Sequence, residues 1–135
     1  MTKEEISARQ QQAAQFHAMG YNCAQSVACA FADKVDLDKV ALFKVTEGLG
    51  LGMGGMNGTC GAISAAAVLA GLKDSTGDLE LANSKAVSYK DARECLEKNQ
   101  SVVCRDLKGV ETGNVLRACP DCISDAVEII GEVLF

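Results

Sequence analysis

Four of the seven cysteines in this 135-residue chain are predicted to lie at, or within the first turn of, separate helices. They are Cys23, Cys60, Cys104 and Cys119. At a helix start, unpaired backbone N–H groups and the helix dipole stabilise a thiolate and lower its pKa. Because thiolates bind soft metals and attack disulfides, the pattern indicates redox or metal chemistry if the four helix starts converge.

Four converging thiolates would form a metal site from residues that are far apart in the sequence. Such a site suits an iron–sulfur cluster or zinc, since sulfur ligands select these metals. The local spacing matches neither a ferredoxin run nor a zinc ribbon, which needs paired Cys-x-x-Cys units. An odd number of cysteines cannot all pair within one chain. The residues alone leave a shared metal site and simple burial of the thiols equally open.

The one Cys-x-x-Cys sequence, Cys119-Pro-Asp-Cys122, supports a different chemistry. Its first cysteine is predicted at a helix start, an arrangement that makes a thiol–disulfide couple reactive. Cys119 and Cys122 are therefore the candidate catalytic pair of a metal-free thiol–disulfide oxidoreductase. No strand–helix–strand pattern surrounds them, so a thioredoxin fold is not expected. Cys29 lies in an alanine-rich stretch and is expected to be a buried thiol that fills the core.

A glycine-rich loop, residues 48–58, leads directly to Cys60. It contains the spacing of a dinucleotide fingerprint at residues 50–55, but no strand is predicted before it and no Gly-Lys-Ser/Thr follows it. Nucleotide binding is therefore not expected. Glycines let backbone amides approach a ligand closely, so we interpret the loop as a wrap around the sulfur centre, with a plain flexible connection as the alternative. The candidate cofactor-binding residues are Gly54, Gly55, Gly58 and Gly61.

The elements that must position these residues are predicted from their capping residues. The predicted starts are Thr2 with Glu5, Asn22, Asp36 or Asp38, Thr59, Asn83 or Ser84, Ser101, and Cys119 with Pro120. The predicted ends lie near Met19, Ala32, Val45, Leu72, Lys98, Lys108 and Leu134. The stretch 63–72 is apolar nearly all round, which predicts a helix in the centre of a bundle. His17 is expected to be a surface or capping residue.

Composition favours one all-α domain, residues 1–135, with a glycine-rich loop between helices of the bundle. The chain is 48% apolar with a single proline, and it is rich in helix-forming residues. Its net charge of -5 comes without a Lys/Arg stripe, so nucleic acid is not expected as a partner. The charged N-terminus and the short apolar runs predict a cytoplasmic protein with no membrane insertion.

The motifs resemble a family of small redox-active proteins named for a Cys, Cys-Gly-Ala-x-x-Gly, Cys, Cys pattern. The resemblance rests on Gly20-Tyr-Asn-Cys-Ala-Gln25, the glycine loop with Cys60-Gly-Ala62, Cys104-Arg-Asp-Leu107, and Cys119-Pro120 leading into Ile123 and Ala126. It covers nearly the whole chain in the right order. Ala65 stands where the pattern has its last glycine, and Cys29, Cys95 and Cys122 lie outside the pattern.

The resemblance implies redox activity or metal binding. A similar domain is associated with iron–sulfur binding in split-Soret-type cytochromes, although this chain has no Cys-x-x-Cys-His haem site. The combined expectation is an iron–sulfur cluster held by the four helix-start cysteines for electron transfer or redox sensing, with Cys122 replacing or assisting Cys119. The alternatives are the metal-free dithiol enzyme and a structural zinc protein that serves a partner interface. A redox partner protein is implied, and the oligomeric state is left open.

Overall fold

The computed structural model describes residues 1–75, 77, 78, 97 and 100–135. Within them the helices are α1 (Lys3–Ala18), α2 (Cys23–Cys29), α3 (Lys39–Glu47), α4 (Gly50–Met53), α5 (Gly61–Asp74), α6 (Cys104–Lys108) and α7 (Cys119–Val133), with a 3-10 turn at Ala32–Lys34. The described residues form no strand, so the all-α prediction is confirmed. The helix predicted from Asn83 or Ser84, with Cys95, lies outside the described residues apart from its residue Glu97.

The core is built around α2, which packs against α1, α3, α5 and α7. Every residue of α2 is buried, and α5 is exposed only at Ala67 and Lys73. Both helices are rich in alanine, and small side chains let two helix backbones approach closely. The central position predicted for the apolar stretch 63–72 is therefore confirmed, and α2 shares it. No helix among the described residues is long and apolar enough to cross a membrane.

Three of the predicted helix starts are confirmed by their hydrogen bonds. Thr2 and Asn22 each form a complete capping box with the residue three positions on, and Asp38 accepts a 3.0 Å bond from the Ala41 N–H. Three helix ends differ from the prediction by two or more residues. α2 ends at Cys29, before the predicted Ala32, because the chain tightens after it into the 3-10 turn. α3 continues past Val45 to Glu47, and α5 continues past Leu72 to Asp74.

The starts of the three helices α5, α6 and α7 were predicted wrongly by one or two residues. Thr59 does not cap α5, because it pairs with Val103 in an isolated bridge, and Cys60 is the cap instead. The cap of α6 is Val103, so Cys104 is its first residue and not its third. The cap of α7 is Ala118, whose carbonyl accepts the Cys122 N–H at 3.0 Å.

Replacing Asn22 with alanine should lower the free energy of unfolding by about 1–2 kcal/mol. The Asn22 side chain accepts the Gln25 N–H at 2.9 Å and donates to the Glu47 carbonyl at 2.8 Å, so it caps α2 and ties it to the end of α3. Urea unfolding followed by circular dichroism measures this loss. Thr2→Ala removes an exposed capping box and serves as the control; an equal or larger loss there would contradict the double role of Asn22.

Candidate cysteine site

Five cysteines line one narrow pocket between α2, α5, α6 and α7. They are Cys23, Cys60, Cys104, Cys119 and Cys122, and Leu107, Lys108 and Arg117 complete the lining. The four cysteines that the sequence places at helix starts therefore lie together. Cys122 joins them, although it lies outside the family pattern. Cys29 lines a separate groove beside α1, and Cys95 lies outside the described residues.

The helix starts position the sulfur atoms. Cys23, Cys104 and Cys119 are the first residues of α2, α6 and α7, and Cys60 is the N-cap of α5. Four of the five side chains are almost inaccessible, with exposed fractions of 5% for Cys23 and Cys60, 2% for Cys104 and 4% for Cys122. Cys119 is half-buried, so it is the described pocket cysteine that solvent reaches most readily.

The thiols contact one another in the order Cys119, Cys23, Cys60 and Cys122. Hydrogen bonds from the Cys119 and Cys60 thiols lower the pKa of Cys23, and the Leu51 and Ala24 N–H groups act in the same direction. The bond to Cys23 raises the pKa of Cys119, and bonds to Cys122 and Cys23 raise the pKa of Cys60. A bond from Cys60 lowers the pKa of Cys122. Cys23 and Cys122 are therefore the thiols that ionise first, and Cys119 and Cys60 hold their protons to donate.

Cys104 differs from the other pocket cysteines, because burial is the main influence on it and raises its pKa. The positive charge of the nearby Lys108 acts against this rise and lowers the pKa of Cys104 and Cys119. The positive charge of Arg117 likewise lowers the pKa of Cys122. The Cys122 thiol also donates a hydrogen bond to the Arg117 carbonyl at 3.7 Å. Two cations therefore border the pocket and offset part of the negative charge that thiolates would bring.

Replacing Asp125 with asparagine should lower the free energy of unfolding by about 1–2 kcal/mol and perturb Cys122. Both Asp125 carboxylate oxygens accept 2.9 Å bonds from the Arg117 guanidinium, which holds the chain before α7 against that helix. Denaturant unfolding and the alkylation rate of Cys122 are the readouts. Asp33→Asn breaks a similar bidentate pair with Arg9, far from the pocket, and should leave that rate unchanged. A Cys122 rate unchanged by Asp125→Asn would contradict a positioning role.

The glycine-rich loop packs its backbone against two of the pocket cysteines. Leu51 adopts the left-handed conformation, with φ of 56°, and its N–H points at the Cys23 sulfur. A Cβ atom on Gly52 would lie 2.7 Å from the Cys104 Cβ, and one on Gly61 would lie 2.5 Å from the Cys23 sulfur. The Gly58 carbonyl accepts the Cys104 N–H at 3.1 Å. The loop therefore encloses one side of the pocket.

The four glycines singled out from the sequence fall into two groups. Gly58 and Gly61 lie against cysteines, as described above. Gly54 has open space where a side chain would be, and Gly55 contacts Arg105 through its carbonyl, so both lie at the outer part of the loop. Gly52 was not singled out, although it approaches Cys104 closely. The spacing of the loop glycines could not reveal this, since the approach depends on the left-handed turn at Leu51.

The pocket fits a thiolate-bound metal by the chemistry of its ligands but not by its present spacing. Its potential metal ligands are all sulfur atoms, which suit iron–sulfur clusters and zinc. The free space among them is about 10 Å³, close to the least that holds a single water molecule. No three His, Cys, Asp or Glu side chains in the described part of the chain are arranged to hold a metal ion. The thiols would therefore have to move apart to admit one.

Comparison with known proteins links the pocket cysteines to one protein family. No curated protein and no solved structure matches the chain. The family model described as putative redox-active protein, C_GCAxxG_C_C, matches residues 21–133, which include all five pocket cysteines. The resemblance inferred from the motifs is thereby confirmed. The chain belongs to this C_GCAxxG_C_C family.

Proposed function

We propose that the cysteine pocket binds an iron–sulfur cluster used for electron transfer or redox sensing. Cys23, Cys60, Cys104 and Cys119 would hold it, and Cys122 would be a spare or substitute ligand. The observation that carries the proposal is the meeting of these thiols, from four separate helices, in one buried pocket. A bound cluster would supply reversible one-electron chemistry, which thiols alone do not offer.

The surroundings of the pocket support a negatively charged centre. Cys60 caps α5 and Cys119 begins α7, and helix N-termini favour negative charge. Lys108 and Arg117 add positive charge beside the sulfur atoms. Leu51 turns a backbone N–H toward Cys23, and N–H bonds to ligand sulfur atoms raise cluster reduction potentials. A redox partner protein would approach where Cys119 is half-buried.

The test is anaerobic purification of the full chain, with iron, zinc and sulfide analysis and visible absorption spectroscopy. Iron and sulfide in comparable amounts, with charge-transfer bands that bleach on reduction, are the expected result. A protein containing zinc alone, without a redox response, would instead favour the structural zinc alternative. A colourless, metal-free protein that fails reconstitution with iron and sulfide would end the cluster proposal.

The metal-free thiol–disulfide function remains the second proposal, because the pocket thiols contact one another directly. Its candidate pair from the sequence was Cys119 and Cys122. These two sulfur atoms contact other cysteines instead. The Cys119 sulfur contacts that of Cys23, and the Cys122 sulfur contacts that of Cys60. Measuring disulfide reduction with a small-molecule disulfide substrate tests this function. Turnover by metal-free protein, lost in a pocket-cysteine variant, would support it.

A further inference from the structure

Among the described cysteines, the one that solvent reaches most readily lies beside a cysteine from another helix. Cys119 is half-buried at the start of α7, and its sulfur contacts that of Cys23 at the start of α2. Both cysteines line the same narrow pocket, and a hydrogen bond joins the Cys119 thiol to the Cys23 sulfur. An oxidant that enters the pocket therefore meets Cys119 first and finds Cys23 next to it.

Cys122 has a different environment, although only two residues separate it from Cys119. It is buried, its sulfur contacts that of Cys60, and its thiol donates to the Arg117 carbonyl at 3.7 Å. The two sulfur atoms of the Cys-x-x-Cys sequence thus contact different cysteines. In the dithiol pair suggested by the sequence, by contrast, Cys122 would have to face Cys119.

We infer that oxidation of the metal-free protein forms a disulfide between Cys23 and Cys119, and not within the Cys-x-x-Cys sequence. The inference deepens the proposed function, on which it rests, because forming this bond would remove two of the four proposed cluster ligands at once. The pocket then has two exclusive states, a reduced state that can hold a cluster and an oxidised state that cannot. Because the two states exclude each other, the redox state of these cysteines would decide whether the pocket can hold a cluster, which is a chemical basis for redox sensing.

The bond forms by two thiol–disulfide exchanges with a low-molecular-weight disulfide such as oxidised glutathione. The Cys119 thiol passes its proton to the Cys23 sulfur, with which it is hydrogen-bonded, as the Cys119 sulfur attacks the oxidant, and a mixed disulfide and one glutathione thiolate form. The released thiolate takes the proton from Cys23, and the Cys23 sulfur then attacks the Cys119 sulfur and displaces the second glutathione. Counted from the protonated thiols, the protein loses two protons and two electrons, and the oxidant takes them up to become two thiols.

The full chain, stripped of metal by a chelator and reduced, is oxidised with glutathione disulfide, blocked with an alkylating reagent and digested with trypsin without reduction. The expected product links peptides 10–34 and 118–135, which carry Cys23 and Cys119. The link should persist in Cys29→Ser and Cys122→Ser, which remove the other cysteine of each peptide. In Cys23→Ser it should be lost, and glutathione should accumulate on Cys119.

Other outcomes separate this inference from the cluster proposal. A disulfide within peptide 118–135, a link from it to peptide 45–73, which carries Cys60, or no disulfide would each overturn the inference. Iron and sulfide are measured on the same preparation before chelation. Their absence together with a Cys23–Cys119 link would end the cluster proposal but leave the inference standing. Circular dichroism of each variant confirms that it is folded.

Discussion

Cys60→Ser is expected to lose most of the iron and sulfide that the native chain binds, by roughly tenfold or more. Cys60 lies in the middle of the row of thiols, where its sulfur contacts those of Cys23 and Cys122. Serine has a similar size and is a favourable N-cap residue, so α5 should still begin at this position. The change removes the soft ligand while keeping the fold. Metal analysis and visible absorption after anaerobic purification provide the measurement.

The matched control is Cys29→Ser, since Cys29 is the last residue of α2 and is also buried, with an exposed fraction of 3%. It lies outside the pocket, so the iron content should stay unchanged. A serine hydroxyl at this buried position should still cost about 1–2 kcal/mol of stability, measurable by urea unfolding. Equal loss of iron from both variants would contradict the division between pocket and core cysteines. Full iron retention in Cys60→Ser would remove this residue from the ligand set.

Gly61→Ala is expected to disturb the pocket more than any other single methyl group added to α5. The new Cβ would lie 2.5 Å from the Cys23 sulfur and 2.9 Å from the Leu49 carbonyl oxygen. Backbone cannot move as readily as a side-chain tip, so we expect a loss of about 1–3 kcal/mol in stability. The Cys23 sulfur should move away from the Leu51 N–H. Iron content and unfolding free energy measure the two effects.

Gly71→Ala on the same helix is the control, because a Cβ at residue 71 meets no atom within 4 Å. Alanine is the better helix former, so this variant should be up to about 1 kcal/mol more stable than the native chain and bind iron normally. Destabilisation by both variants would indicate a general intolerance of α5 to added volume. Normal stability and normal iron binding in Gly61→Ala would contradict the close packing between α5 and Cys23.

Local sequence signals predicted the helices well where capping is a matter of neighbouring residues. Asn22 and Gln25 form their capping box within one turn, so residue identity was sufficient. The start of α5 was misplaced because Thr59 pairs with Val103 in a bridge and the Cys60 N–H donates to the Val102 carbonyl, both from a distant part of the chain. A capping residue that a long-range contact occupies cannot be recognised from its neighbours.

The site was predicted in the same uneven way. Helix-start positions and the family pattern picked four cysteines that the fold does bring together. The same reasoning separated Cys29 from Cys23, since the two lie on different faces of α2. It paired Cys119 with Cys122 through their spacing, whereas their nearest sulfur contacts are Cys23 and Cys60. Spacing on one helix does not determine which sulfur on another helix lies closest.

The sequence by itself determined the fold class, the family and which cysteines stand at helix starts, because caps and helical periodicity act over a few residues. The tertiary structure decided that these starts meet in one pocket, that Cys122 joins them, and that the left-handed turn at Leu51 encloses one side. These features depend on how α2, α5, α6 and α7 pack. Packing between distant segments is decided by the shape of the whole core, and no short stretch of sequence carries that information.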